Sequence, residues 1–310
     1  LNNNSSEIID EGLRYVNNDA CYPAIIVIGQ IIHALKSGEY DIDNTTVLMS
    51  QTGGGCRATN YIAFLRKALK SAGFPNVPVV SVSAQGIEDN GFRDQINMKV
   101  LHKLVMGAVY GDLLMKVLLR VRPYETIPGS ANLLYEKWCD KCKDSLKDAN
   151  IRQFKKNIKD IVSDFDNLEI TDEVKPRVGL VGEILVKFSP IANNDLIGIL
   201  EREGAEAVVP ELINFFMACA YNNIYKHKNL EGSWRSMVAS KAVVKILETY
   251  MATYTSALKA SKRFDPPKKI DNLAELTKSY VSLGNQTGEG WLLPGEMLEL
   301  LEAGCNNIVC

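Results

Sequence analysis

"MSQTGGGCRATNYIAFLRKALKSAGFP", residues 49–75, sets a cysteine, Cys56, directly behind three glycines and directly ahead of a helical pattern. Just upstream, "TTVLMS" (45–50) is a short β-branched run with strand character. Downstream, Ile62, Leu65 and Leu69 recur at helical spacing over about residues 57–72, and Gly73 closes that helix. "VPVVSVS" (77–83) then reads as another buried strand. Strand, glycine loop, helix and strand make the repeating unit of a parallel sheet with crossover helices.

On the N-terminal side, residues 13–16 read as a short strand, and Asn17-Asn18-Asp19 as a polar stop. Pro23 is placed for the first turn of a helix whose apolar stripe is Ile25, Ile28, Ile31, Ile32 and Leu35, ended by Gly38. Residues 1–93 are therefore expected to form a first α/β lobe. Residues 94–173 change character: long, amphipathic, rich in Leu and Lys and broken at Pro123 and Pro128, they read as a helical insert. "KPRVGLVGEILV" opens a second α/β lobe over 174–310, with a helix over about 195–203, Gly204 as its cap and "EAVVP" as the next strand. Further helices are expected over about 211–221, 233–262, 274–281 and 295–303, before a last strand in "NNIVC".

The 310 residues suffice for two cores. A net charge of −2 and a pI near 6.0 leave no electrostatic footprint for nucleic acid or an anionic membrane. No apolar run reaches the ~18–20 residues of a membrane span, and the start lacks a secretory pattern. The missing initiator Met, and an ending where a strand is beginning, suggest a piece of a longer chain. Seven cysteines, an odd count in a chain of this size, point to reduced thiols and a cytoplasmic protein.

The order of elements places Cys21 and Cys56 ahead of helices and Cys310 at the end of the last strand. Ligands of open parallel sheets bind outside the carboxyl ends of the strands, and helix N-termini favour the thiolate that metals take. Three cysteines from separate elements can thus converge. Each can also be a small buried hydrophobe. The loop has neither the Lys-Ser/Thr of a P-loop nor G-x-G-x-x-G, which disfavours phosphate and a nucleotide or corrinoid module. The glycines would instead let backbone amides approach an anionic cluster. A cysteine nucleophile wants a nearby histidine, and His33, His102 and His227 all fall inside helical patterns. Cys139 and Cys142 ("CDKC") read as incidental helix thiols, Cys219 as core and Cys305 as packing. Glu183, after a glycine at a strand end, is a wasteful place for a charge unless it faces the crevice. Glu289, between glycines beside Trp291, is a second such carboxylate; for both, a satisfied strand-end or loop carboxylate is the alternative.

"NNDACYPAIIVIGQ", "QTGGGCRATNYIAFLRKAL", "YGDLLMKVLLRVRPYE", "EGAEAVVPELINFF" and "GEGWLLPGEMLELLEAG" resemble the CoA-substrate-specific enzyme activase-related proteins of the 2-hydroxyacyl-CoA dehydratase superfamily. The resemblance spans essentially the whole chain. It implies two Rossmann- or flavodoxin-like parallel-sheet lobes holding an iron–sulfur cluster, [4Fe-4S] or double-cubane. Function would then be ATP-driven delivery of a low-potential electron to that cluster from an activator domain or subunit. The electron passes on to a 2-hydroxyacyl-CoA, or in double-cubane relatives to another small molecule. Matched residue by residue, Cys21 and Cys56 are the implied metal ligands. The third is open between Cys310 and a cysteine beyond it, because the family's chain continues past "NNIVC". Gln51, Gly53, Gly54, Gly55 and Arg57 would line the cluster pocket, and Glu183 would face the crevice as the catalytic carboxylate. The family's ATP-binding sequence is absent from this chain, so no ATP hydrolysis is expected of it. The rival reading is non-catalytic: a scaffold or electron-relay module that docks the activator.

Overall fold

A computed structural model describes residues 6–51, 56–82 and 97–310. The chain divides into two compact units, Leu1–Asn97 with Leu185–Leu196, and Met98–Ile184 with Ile197–Cys310. Helix predominates, and both sheets are small and parallel. No described helix is long and apolar enough to cross a membrane.

The first unit opens with a helix pair, α1 (Glu7–Tyr15) and α2 (Tyr22–Lys36). The strand expected over 13–16 does not form. Leu13 to Tyr15 instead complete α1, whose buried Ile8 and exposed Glu7, Asp10 and Leu13 give it an amphipathic face. Packing outweighs a four-residue strand propensity here. Gly12 and Gly29 let the helices touch backbone to backbone: a Cβ on Gly12 would stand 2.1 Å from the Ile25 carbonyl oxygen, and one on Gly29 2.1 Å from that of Ile8. α2 is apolar nearly all round because it is covered on several sides. Ile28 and Ile32 enter a core with Leu65 and Leu69, while Ile26 meets Ile8, Ile191 and Ala192. Burying each of those isoleucines contributes about 1.5–3 kcal/mol.

After α2, β1 (Val47–Ser50) pairs in parallel with β2 (Val79–Val82), with Val47 opposite Val79. The crossover between them is a 3-10 turn, Arg57–Asn60, that runs into α3 (Tyr61–Ser71). The described part of this lobe thus holds two strands, not three.

The second unit begins with three long helices, α4 (Met98–Val121), α5 (Ser130–Asp148) and α6 (Ile151–Asp166). The α5–α6 turn is tight: Ala149 adopts φ +52°, and the Asn150 side chain accepts from the amides of Arg152 and Gln153. β3 (Arg177–Leu180) follows. The chain then contributes Leu185–Leu196 to the first unit, with α7 (Ile184–Phe188) and α8 (Pro190–Asn193), and returns to the second in α9 (Leu196–Arg202), with Gly204 at φ +83° behind it. Then come β4 (Glu206–Val208), α10 (Ile213–Asn229), α11 (Trp234–Ala260), α12 (Ile270–Thr277), α13 (Leu292–Glu302) and β5 (Asn307–Val309). The sheet order is β4-β3-β5, all parallel. The helical stretch read as an insert shares one core with the later helices: Val109, Leu113, Phe154 and Ile158 pack in the same cluster as Met217, Tyr254 and Trp291.

Candidate functional site

In the first unit, Cys21 is the N-cap of α2, and Cys56 the N-cap of the 3-10 turn before α3. Cys21 follows a helix and not a strand, so only its place ahead of a helix is as the sequence suggested. Both thiols are free and half-buried. The Cys56 sulfur accepts from the Ala58 amide at 3.5 Å. Cys21 Sγ lies 2.8 Å from the hydroxyl of Tyr61, the first residue of α3. One tyrosine therefore ties the thiol that opens α2 to the helix into which the Cys56 turn runs.

Gln51 directly follows β1. Its backbone N–H extends the β1–β2 ladder by donating to the Val82 carbonyl at 2.9 Å. Its buried side chain donates to the Thr59 carbonyl and accepts from Ser81 Oγ, each at 2.7 Å. The Gln51 side chain thus ties the end of β1 to the 3-10 turn and to β2. Arg57 is exposed. Gly53, Gly54 and Gly55 lie outside the described residues.

Glu183 and Cys310 belong to the second unit. Leu180 pairs with Val309, and the Val181 amide donates to the Val309 carbonyl at 3.0 Å. The two residues therefore follow the carboxyl ends of adjacent strands, as their sequence positions implied. Cys310 is exposed, and Glu183 is half-buried just after Gly182. Glu289 accepts from the Ile184 amide at 3.2 Å, so it serves the start of α7 as a satisfied carboxylate. Burial pushes the Cys142 thiol up to about 12, in keeping with a packing role for that cysteine. Cys305 is fully buried, as expected, whereas Cys219 lies on an exposed face of α10 and is not core.

Sequence reading missed a charged cavity of about 360 Å³ in the second unit, between α4, β4, α13 and residues 263–268. Lys116 and Arg120, one helical turn apart on α4, reach into it. Glu206, 1% exposed, accepts from Arg120 at 2.7 Å, Tyr124 at 2.8 Å and Arg177 at 3.1 Å. Glu211, also buried, accepts from Lys116 at 2.7 Å and from the Tyr254 hydroxyl at 2.8 Å. Burial opposes the charge on Glu211, but Lys116 prevails and holds its carboxyl below the usual range. The opposite holds beside it. Burial, then repulsion from Glu211, raises both Asp112 and Glu299 to about 7. Asp112 accepts from the amides of Leu212 and Ile213, at 2.8 and 2.9 Å, and so caps α10. The available signal was a set of charges in apolar surroundings, "GDLLMKVLLR" and "EAVVPEL"; which acid meets which base is a tertiary matter.

Comparison of the chain with family models, with curated proteins and with solved structures finds no match. The fit of an iron–sulfur cluster rests on the donor set alone. Free, half-buried thiols at two helix starts are suitable ligands. Their number within the first unit is two, and among the described residues no three His, Cys, Asp or Glu side chains are grouped to hold a metal. The donor chemistry suits the cluster, and the described ligand set is incomplete.

Proposed function

We propose that the chain is the iron–sulfur component of an ATP-driven, low-potential reductase of the 2-hydroxyacyl-CoA dehydratase kind. An activator domain or subunit would supply its electron. The observation that carries this reading is that free Cys21 and Cys56 thiols open two helical segments of one unit, with the Cys21 sulfur against Tyr61 of the helix that follows the Cys56 turn. A bound cluster would supply one-electron chemistry at low potential. Cys21 and Cys56 would hold it, and Gln51, Gly53, Gly54, Gly55 and Arg57 would line its pocket. Glu183 and Cys310 are the residues proposed for the substrate side and the third thiolate.

The test is anaerobic reconstitution of the chain with iron and sulfide, followed by metal analysis and an electronic spectrum. Uptake of about four irons per chain, with the charge-transfer absorption of a cluster, is expected. Cys21→Ser or Cys56→Ser should remove most of that iron. Wild-type iron content in both variants would refute the ligand assignment.

A second reading is a non-catalytic scaffold that docks the activator. It is favoured by the count of free thiols in the first unit, which among the described residues is two, Cys21 and Cys56. It predicts no iron uptake by the wild-type chain.

A further inference from the structure

The charged cavity between α4, β4, α13 and residues 263–268 is polarised along its length. At one end Arg120 and Arg177 converge on buried Glu206, each on a different carboxylate oxygen. Backbone carbonyls fix the same two side chains: that of Arg263 accepts from Arg120 Nε at 3.3 Å, and that of Ala303 from Arg177 Nη1 at 2.9 Å. The Nη2 group of each guanidinium donates to no described residue. The two side chains are 35% and 28% exposed, so a molecule in the cavity they line can reach them, whereas it cannot reach Glu206. Arg263 adds a third guanidinium, and its described acceptors are the carbonyls of Phe165 and Leu168, not a carboxylate. Asp265, exposed on the rim, makes no ion pair among the described residues. Three positioned positive charges therefore surround one buried negative charge.

The other end has the opposite surplus. One helical turn back along α4, ~6 Å from Arg120, Lys116 is paired with Glu211. Glu299 of α13 lines the cavity beside them and is half-buried. One of its oxygens accepts from the Lys268 amide, and the other accepts from no described residue. The Lys268 ammonium is itself paired with Glu302 at 2.7 Å. Repulsion from Glu211 and from buried Glu296 adds to burial in raising the Glu299 carboxyl to about 7, the behaviour of a carboxylate with more acids than bases around it. A guanidinium fork matches a carboxylate, and a carboxylate in such surroundings attracts a cation. The volume, about 360 Å³, lies within the ~300–1,000 Å³ range of small-molecule sites.

We infer that this cavity binds a small zwitterion of the amino-acid class, its two charges set apart by a short carbon chain that spans the ~6 Å of that helical turn. The ligand carboxylate accepts from the spare donors of Arg120 and Arg177, its ammonium donates to Glu299, and the chain between them lies against the apolar lining of Phe264 and Leu300. The inference is independent of the iron–sulfur reading, since no residue proposed for the cluster lines the cavity.

Isothermal titration of the whole chain at pH 8 with 4-aminobutanoate, butanoate and butylamine tests it. 4-Aminobutanoate should bind with a Kd of roughly 1 mM or tighter, and each single-charge analogue at least about tenfold more weakly. Glu299→Gln removes the charge at one end and should weaken 4-aminobutanoate binding by about tenfold. Arg177→Lys keeps a cation for Glu206 but loses the fork, and should weaken it several-fold. Near-UV circular dichroism checks that each variant keeps its packing, and the comparison of the three ligands decides the matter even where a variant fails to fold. No binding of 4-aminobutanoate would overturn the inference, as would butanoate or butylamine binding as tightly. Unchanged affinity in either folded variant would overturn it too.

Discussion

Replacing Lys116 with Met tests the buried charge network most directly. The ammonium stands 2.7 Å from a Glu211 side chain only 3% exposed, whose other named partner is the Tyr254 hydroxyl. Met keeps the aliphatic stem and removes the charge, leaving a buried carboxylate facing Asp112 and Glu299. Removing one partner of a buried pair costs about 3–5 kcal/mol, and the part-exposed Lys116 argues for the lower end. The sign with pH can be worked out. Without Lys116 the folded-state pKa of Glu211 rises above its unfolded value, so the neutral carboxyl becomes the favoured buried form. The loss should therefore be fully felt well above that raised pKa and relieved as pH falls below it. The assay is urea unfolding followed by tryptophan fluorescence at pH 8 and pH 5. Trp138, Trp234 and Trp291 all lie in the second unit, so the signal reports that unit. Adding Glu211→Gln to the Lys116→Met variant should recover much of the loss at pH 8. A loss under about 1 kcal/mol at pH 8, or one equal at both pH values, would show that the pair is not the buried charge coupling described.

In the wild-type chain, Asp112 and Glu299 have pKa values near 7, against about 4 unfolded, so the native state holds extra protons between those limits. Stability of the second unit should fall as pH rises from about 4 to 7 and then level off, and Glu299→Gln should flatten that slope; a flat wild-type profile would contradict the assignment. In the first unit, Gly12→Ala drives a methyl into the Ile25 carbonyl, a backbone atom that cannot swing aside. A loss of about 1–3 kcal/mol is expected from thermal melts of the 222 nm ellipticity, and an unchanged melt would mean α1 and α2 do not approach so closely. Under native conditions, a thiol reagent should label exposed Cys310 first, with Cys142 and Cys305 reacting only on unfolding; Cys219, whose thiol burial pushes up to about 11, should lag behind Cys310. Peptide mapping after timed labelling reads that order directly.

The sequence alone determined the elements whose signals are local and redundant. The apolar stripe from Ile25 to Leu35 with Pro23 ahead of it became α2. The β-branched runs before and after the glycine loop became a parallel pair, and the Leu- and Lys-rich stretch became long helices. Periodicity, caps and breakers act within one or two turns of their own residue, so they can be read in order along the chain. Residues 13–16 were misread because four apolar-tinged residues carry no period, and packing of Gly12 against Ile25 then decided for helix. Of the candidate site, the position of Cys21 and Cys56 ahead of helices, and of Cys310 at a strand end, was legible for the same local reason. The partners were not. That Tyr61 meets Cys21 forty positions away, that Gln51 braces Thr59 and Ser81, and that Lys116 neutralises Glu211 across ninety-five positions are all products of tertiary packing. So is the unpaired amide of Asn214, which reads in the sequence as one more polar residue on a helix. Charge and hydrogen-bond pairing depend on distance in space, and chain order carries almost none of it.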